Sequence, residues 1–134
     1  MSVASPNNMG WAGTNEANAL AAGTSKGRHL ERMHLMIRFM AEHYTQPISV
    51  SDIAGAGGVS DGYAMGLFQK AFGTSITSYL TKLRIYHAKS ALIETDEKIL
   101  TIALDSGFGS LSRFYEVFSQ DAGQTPQNYR RAAR

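Results

Sequence analysis

The sequence predicts an all-α chain: two helix-turn-helix subdomains joined by a long central helix, about seven helices in all. Three observations predict it. Apolar residues recur at helical spacing from Leu30 onward, and no segment sustains the period-two alternation of a half-buried strand. Serine, threonine, glycine and proline punctuate that periodicity where helices should start and stop. The second half of the chain also repeats the first.

Residues 1–28 mix Gly, Ser, Asn, Thr and Ala with a lone Trp11 and no sustained period. They read as a disordered or linker tail, with Glu16–Ala22 permitting one short helix. Leu30, Met33, Ile37, Met40 and Ala41 then share a helical face that ends near Tyr44, because Pro47 cannot continue it. Ser49 or Ser51 can cap a short helix through Ile53 and Ala56, stopped by Gly57 and Gly58. Ser60 caps the next helix, which carries Tyr63, Ala64, Leu67, Phe68 and Ala71 on one side and ends at Gly73. Ser75 opens a longer helix from Ile76 to about Ile93, whose roughly 18 residues span about 27 Å. A short helix around Ile99–Asp105 stops at Gly107, and another runs from about Ser110 to Ala122, ending at Gly123. Thr125 and Pro126 form a cap and first turn for a last helix to about Ala132. Residues 29–73 thus make the first subdomain, 74–94 the linker helix and 95–134 the second subdomain.

The repeat is the strongest signal. Ile53-Ala54 matches Ile102-Ala103, and Gly58-Val59 matches Gly107-Phe108, at one offset. After the turn the offset grows by one: Ala64 matches Phe114, Leu67 matches Val117, Phe68 matches Phe118, Gly73 matches Gly123, Ser75 matches Thr125 and Tyr79 matches Tyr129. A single inserted residue near Gly109 accounts for the change. Each copy has a small residue where two helices cross (Ala54, Ala103) and, four positions on, a glycine able to take the positive φ of a sharp turn. One such match is weak, since helical hairpins with glycine turns are common; two at matched spacing are not. A linker of about 27 Å plus the width of the lobes suits two helices placed about 34 Å apart, the repeat of the major groove along one side of B-DNA.

Composition narrows the function classes. The 134 residues are 43% apolar, enough for a core. No run of about 18 apolar residues is present, so no membrane span is expected. No basic stretch leads into an apolar one at the N-terminus, so no secretory signal is expected and a cytoplasmic location is the simplest fit. The absence of cysteine excludes disulfides, thiolate zinc sites and thiol nucleophiles. The net charge of +2 is small but grouped. Lys82, Arg84 and Lys89 lie on the linker helix, Arg130, Arg131 and Arg134 at the C-terminus, and Asp96, Glu97 and Asp105 outnumber Lys98 between them. His29, His34, His43 and His87 show no metal-ligand spacing, so no metal or cofactor is expected. Phe68, Phe72, Phe108, Phe114, Phe118, Tyr79 and Tyr129 sit at core spacing, which favours packing over base stacking. No GxSxG, HExxH or phosphate-binding glycine loop occurs, and no catalytic residue is expected.

From Leu30 to Arg131 the chain resembles the DNA-binding domain of the AraC/XylS family of bacterial regulators. The resemblance rests on Ser49-Val50-Ser51-Asp52-Ile53-Ala54, on Leu80-Thr81-Lys82-Leu83-Arg84-Ile85-Tyr86-His87-Ala88, and above all on Ile102-Ala103-Leu104-Asp105-Ser106-Gly107-Phe108 followed by Phe114, Phe118, Gly123, Pro126, Tyr129 and Arg130. It implies seven helices, with the second helix of each unit as the recognition helix. It implies a transcription regulator, usually an activator, on double-stranded promoter DNA, with RNA polymerase as a protein partner. Family members mostly carry a further effector or dimerisation domain, so this chain is either a fragment or a short member; alone it is expected to be a monomer.

Candidate contacts follow from residue chemistry. On the first recognition helix Asp61, Met65 and Gln69 are the base-reading candidates, since Gln pairs with adenine and Met can touch a thymine methyl. Gly62 and Gly66 stand where bulkier or basic readers are usual in the family. On the second, Arg113 can pair with guanine, Glu116 can accept from cytosine, and Ser112 can contact a base. Arg113 and Glu116 can instead pair with each other at i, i+3. Ser60, Lys70, Lys82, Ser110, Arg130 and Arg131 are the phosphate candidates, with Arg134 a further source of positive charge. Arg84 matches a family arginine on the linker helix, for which a structural ion pair competes with a DNA contact. The rival function is a helical protein-interaction module with the same fold and little DNA reading.

Overall fold

The computed structural model describes residues 25–134. Seven helices follow one another among the described residues, with no strand between them: α1 (Ser25–His43), α2 (Val50–Ala56), α3 (Asp61–Phe72), α4 (Ile76–Glu94), α5 (Ile99–Asp105), α6 (Leu111–Ala122) and α7 (Pro126–Ala133). Trp11 and the short helix considered at Glu16–Ala22 lie outside the described residues. Helix α1 begins at Ser25, so residues 25–28, assigned to the tail by composition, are helical instead. Apolar periodicity starts at Leu30 and is blind to a leading turn that carries no large apolar side chain.

The helix starts are written in short polar side chains. Ser49, rather than Ser51, caps α2, through a reciprocal box: its hydroxyl accepts from the Asp52 N–H at 3.1 Å and its own N–H donates to the Asp52 carboxylate at 2.9 Å. Hydrogen bonding of the Asp52 carboxylate by Ser49, from its backbone N–H first and its side chain second, holds that carboxyl below its ordinary range. Ser51 instead donates its hydroxyl to Asp61 at 2.7 Å, tying α2 to the first turn of α3. Ser60 and Ser110 cap α3 and α6, and Ser75 and Thr125 cap α4 and α7, each accepting from the N–H three residues on.

The repeat seen in the sequence is a repeat of backbone. In the first turn the Val59 N–H reaches back to the Ala54 carbonyl at 3.0 Å, and in the second Phe108 reaches Ala103 at 3.0 Å. Gly58 and Gly107 both hold positive φ, at 68° and 104°. The inserted residue is Gly109, between Phe108 and the cap Ser110, where the first copy passes directly from Val59 to Ser60. The copies differ at one start. Lys98 stands at the N-cap of α5 and offers no side-chain hydrogen bond.

Two cores hang on α4. Its first half sends Ile76 and Leu80 into a cluster with Met33, Met36, Met40, Ile53, Ala54, Ala64 and Phe68. Its second half sends Ile85, Ala88 and Leu92 into a cluster with Ile102, Ala103, Phe108, Phe114, Val117 and Phe118. One helix therefore belongs to both lobes, which explains why it carries no single apolar stripe. The buried face of α1 is also rotated from expectation. Met33, Met36 and Met40 are buried, Ala41 is exposed, and Leu30 is 60% exposed. The expected stripe counted apolar residues on one flank of the true face and missed Met36 at its centre. Ala71 is exposed as well, and Phe72 is 47% exposed, its ring lying against Phe68 and Tyr79 at the edge of the first core.

Candidate nucleic-acid interface

Helix α3 buries Ala64 and Phe68 and turns Asp61, Gly62, Met65, Gly66, Gln69 and Lys70 outward. Met65 is 48% exposed, a large apolar side chain left in water on the predicted reading face. Asp61 is engaged by the Ser51 hydroxyl, which fixes its orientation at the start of the helix. Nothing in the protein lies within 4 Å of where a Cβ on Gly62 or Gly66 would stand. Internal packing therefore does not require glycine at either position. Gly66→Ala is expected to raise the stability of the free protein by up to about 1 kcal/mol, the helix cost of glycine relative to alanine. A chemical denaturation midpoint checks this, and a lower midpoint would show a packing role that the open space does not suggest.

Helix α6 is seated by Phe114, Val117 and Phe118, all buried. Its outer face presents Leu111, Ser112, Arg113 and Glu116. The Arg113 guanidinium meets the Glu116 carboxylate at 3.1 Å, both side chains more than half exposed. An ion pair in that setting contributes at most about 1 kcal/mol, little enough for a better partner to displace. Ser110 is the cap, its hydroxyl accepting from the Arg113 N–H at 3.1 Å, so the same serine closes the helix end and stands at its positive pole.

Between α4 and α6 runs an open groove lined by Thr77, Ser78, Thr81, Lys82, Arg113, Gln120 and Asp121 among others. It brings Lys82 and Arg113, assigned separately from sequence, onto one surface. Thr77, Ser78, Thr81 and Gln120 were not proposed as contacts from sequence, because only the folded chain gathers them along one groove. Lys82 and Lys89 both hold Asp121, at 3.1 and 3.0 Å. Burial alone would raise the Asp121 carboxyl, but the hydrogen bonds and charge of Lys89 and Lys82 outweigh it and the group stays below its ordinary range.

The C-terminal arginines find partners within the protein. Arg130, expected on phosphate, donates instead to three carbonyl oxygens at the end of α4: Leu92 at 3.0 Å, Thr95 at 3.1 Å and Glu97 at 2.9 Å. Those carbonyls have no further helical turn to satisfy them, so a planar guanidinium with several donors closes the helix end. Arg134 likewise pairs with Asp96 at 2.7 Å and hydrogen-bonds the Thr95 carbonyl. Arg131 meets only the Asn128 side chain, at 2.9 Å, and remains exposed. Arg84 takes a structural role, but not the ion pair weighed for it. It donates to the Tyr44 and Gln46 carbonyls at 2.7 and 2.9 Å, doing after α1 what Arg130 does after α4. Burial lowers its pKa. His29 and His43 lie against Tyr63 and Phe39, and His87 hydrogen-bonds the Tyr44 hydroxyl at 2.7 Å. Among the described residues no group of three or more His, Cys, Asp or Glu side chains is placed to hold a metal ion.

Two units with matched caps and turns, each presenting the outer face of its second helix, define a tandem helix-turn-helix protein. A family model described as a helix-turn-helix domain matches residues 53–132. The melibiose operon regulatory protein of Escherichia coli strain K12 is 42% identical over 96 residues, covering 72% of this chain and 32% of its own length. Two solved structures share the fold. The C-terminal domain of the two-component response regulator yesN from Fusobacterium nucleatum is 31% identical with a TM-score of 0.69, over 72% of this chain and 95% of that one. An AraC-type transcriptional regulator from Chromobacterium violaceum is 28% identical with a TM-score of 0.71, over 76% and 91%. The chain belongs to the AraC/XylS-type helix-turn-helix family of transcription regulators. It spans about a third of the length of the melibiose regulator it matches.

Proposed function

We propose that the chain is the DNA-reading part of a transcription activator, seating α3 and α6 in successive major grooves on one side of promoter DNA. The observation that carries this is the duplication of one backbone geometry. Both units have the same turn hydrogen bond, the same positive-φ glycine and the same serine cap on the outward helix. They share α4, whose 19 residues span about 28 Å. A single chain then offers what a two-fold dimer of one-motif proteins offers, so a monomer suffices for two grooves. On this reading Arg113, Glu116 and Ser112 read bases through α6. Helix α3 uses Met65, Gln69 and Asp61 with a close approach at Gly62 and Gly66. Ser60, Lys70, Lys82, Ser110 and Arg131 meet phosphates.

Selection from random duplexes, followed by titration of the winner at several salt concentrations, tests this directly. Three lysine or arginine phosphate contacts imply a log–log salt slope of about −3. No salt-dependent binding to any duplex would sink the reading. It would favour the interaction-module alternative, which has its own support in α5: Leu100 and Leu104 are each about half exposed, on a helix flanked by Asp96, Glu97 and Asp105. In a DNA-bound activator that same face is a surface left for RNA polymerase.

A further inference from the structure

Among the described residues the two lobes meet beside their shared helix, where Gly107 lies against Tyr44 and Thr45. The Tyr44 carbonyl, in the connection from α1 to α2, accepts from the Arg84 Nε at 2.7 Å, and its hydroxyl meets the His87 Nδ1 at 2.7 Å. Tyr44 is thus held to α4 at both ends. Gly107, in the turn of the second unit, fits against this point so closely that a Cβ there would stand 2.4 Å from the Tyr44 oxygen, 2.8 Å from the Arg84 Nε and 3.1 Å from the Thr45 Cα. The matching glycine of the first unit is not confined in this way. A Cβ on Gly58 would find only the tip of Arg32, at 3.4 Å. Both glycines serve a turn, but only Gly107 is also required by contact with the other lobe.

A contact of backbone on backbone, with a guanidinium fixing the carbonyl between, leaves little freedom for bending α4 at its middle. We infer that the joint of Arg84, Tyr44 and Gly107 fixes the angle between the two helix-turn-helix units and thereby selects the spacing of the two half-sites on DNA, with Arg84 as a positioning residue. This rests on the DNA-reading function proposed above. One base pair of added spacing turns the second half-site by about 34° and moves it about 3.4 Å, a mismatch that a stiff pair of units cannot follow and a hinged pair can.

Two measurements test it. The chain has no cysteine, so Ala41→Cys and Asp105→Cys place one spin label on each lobe without background. A single narrow distance distribution is expected for the parent and for Gly58→Ala, which strains a turn but touches no second lobe. A broadened one is expected for Arg84→Ala, and a partly restored one for Arg84→Lys. Each variant is compared while circular dichroism shows it folded, and a narrow distribution in Arg84→Ala overturns the joint. The second measurement uses the duplex selected by the parent protein, with its half-site gap changed by one base pair. The parent is expected to lose about tenfold in affinity and Arg84→Ala less than about threefold, with binding to an isolated half-site unchanged in both. An equal spacing penalty in the two proteins overturns the role in site selection. If the parent selects no duplex, the DNA reading and the spacing role fall together, and the distance distribution alone decides whether the joint is rigid.

Discussion

Phe114→Ala is expected to destabilise the second lobe by about 3–5 kcal/mol, the largest effect of any substitution considered for this chain. The ring is fully buried and lies between Phe108 and Phe118, with centroids 5.1 and 5.4 Å away. Removing it loses the transfer free energy of a benzyl group and leaves a cavity that neighbouring rings, themselves fixed, cannot fill. It also unseats α6, since Phe114 is the first buried residue of that helix, directly after Arg113. Denaturant titration followed by circular dichroism reads the loss. A change below about 1 kcal/mol would mean that the lobe repacks freely around the missing ring.

Arg113→Ala is expected to cost specific DNA binding about 1–3 kcal/mol and to relax preference at one base position, with almost no loss of folding stability. The adjacent residue faces the other way, so the pair separates reading from folding within one helical turn. In the free protein Arg113 leans on Glu116, an exposed contact whose loss matters little. On DNA the same guanidinium would be desolvated against a base edge, where its planar fork gives discrimination. Competition against a panel of single-base variants of the selected duplex is the measurement. Equal weakening on every sequence would assign Arg113 to phosphate instead.

The fold was legible because its signals are local. Caps at Ser60, Ser75, Ser110 and Thr125, and glycine ends at Gly73 and Gly123, are settled within a few residues of chain. The repeat was legible for the same reason, as identical turns need the same residues at the same places. The face of α1 was not. Eight apolar residues crowd its sequence, and only contact with α2 and α3 chooses Met36 over Leu30. The arginines were the hardest to read. Arg84, Arg130 and Arg131 are alike as residue types, but two of them close helix ends some 35 to 40 positions back along the chain. Nothing near them in sequence marks those carbonyls as needing a donor.

The two cores are made of different stuff. The first holds Met33, Met36 and Met40 from a single helix beside Phe68; the second holds Phe108, Phe114, Phe118 and Tyr129 in successive ring contact, tilted in the first two pairs and edge to face between Phe118 and Tyr129. Unbranched thioethers bend to fill whatever shape they are given, whereas interlocked rings allow few arrangements. The α1 side of the first core is therefore its more adaptable part, while Phe68, Phe72 and Tyr79 keep ring contacts of their own on the other side. If α3 and α6 enter grooves as proposed, a groove that departs from ideal width would be met by slight repacking beneath α3. The same softness has a chemical cost: oxidation of any of the three sulfurs would place a polar sulfoxide in the middle of that core and silence the first unit while sparing the second.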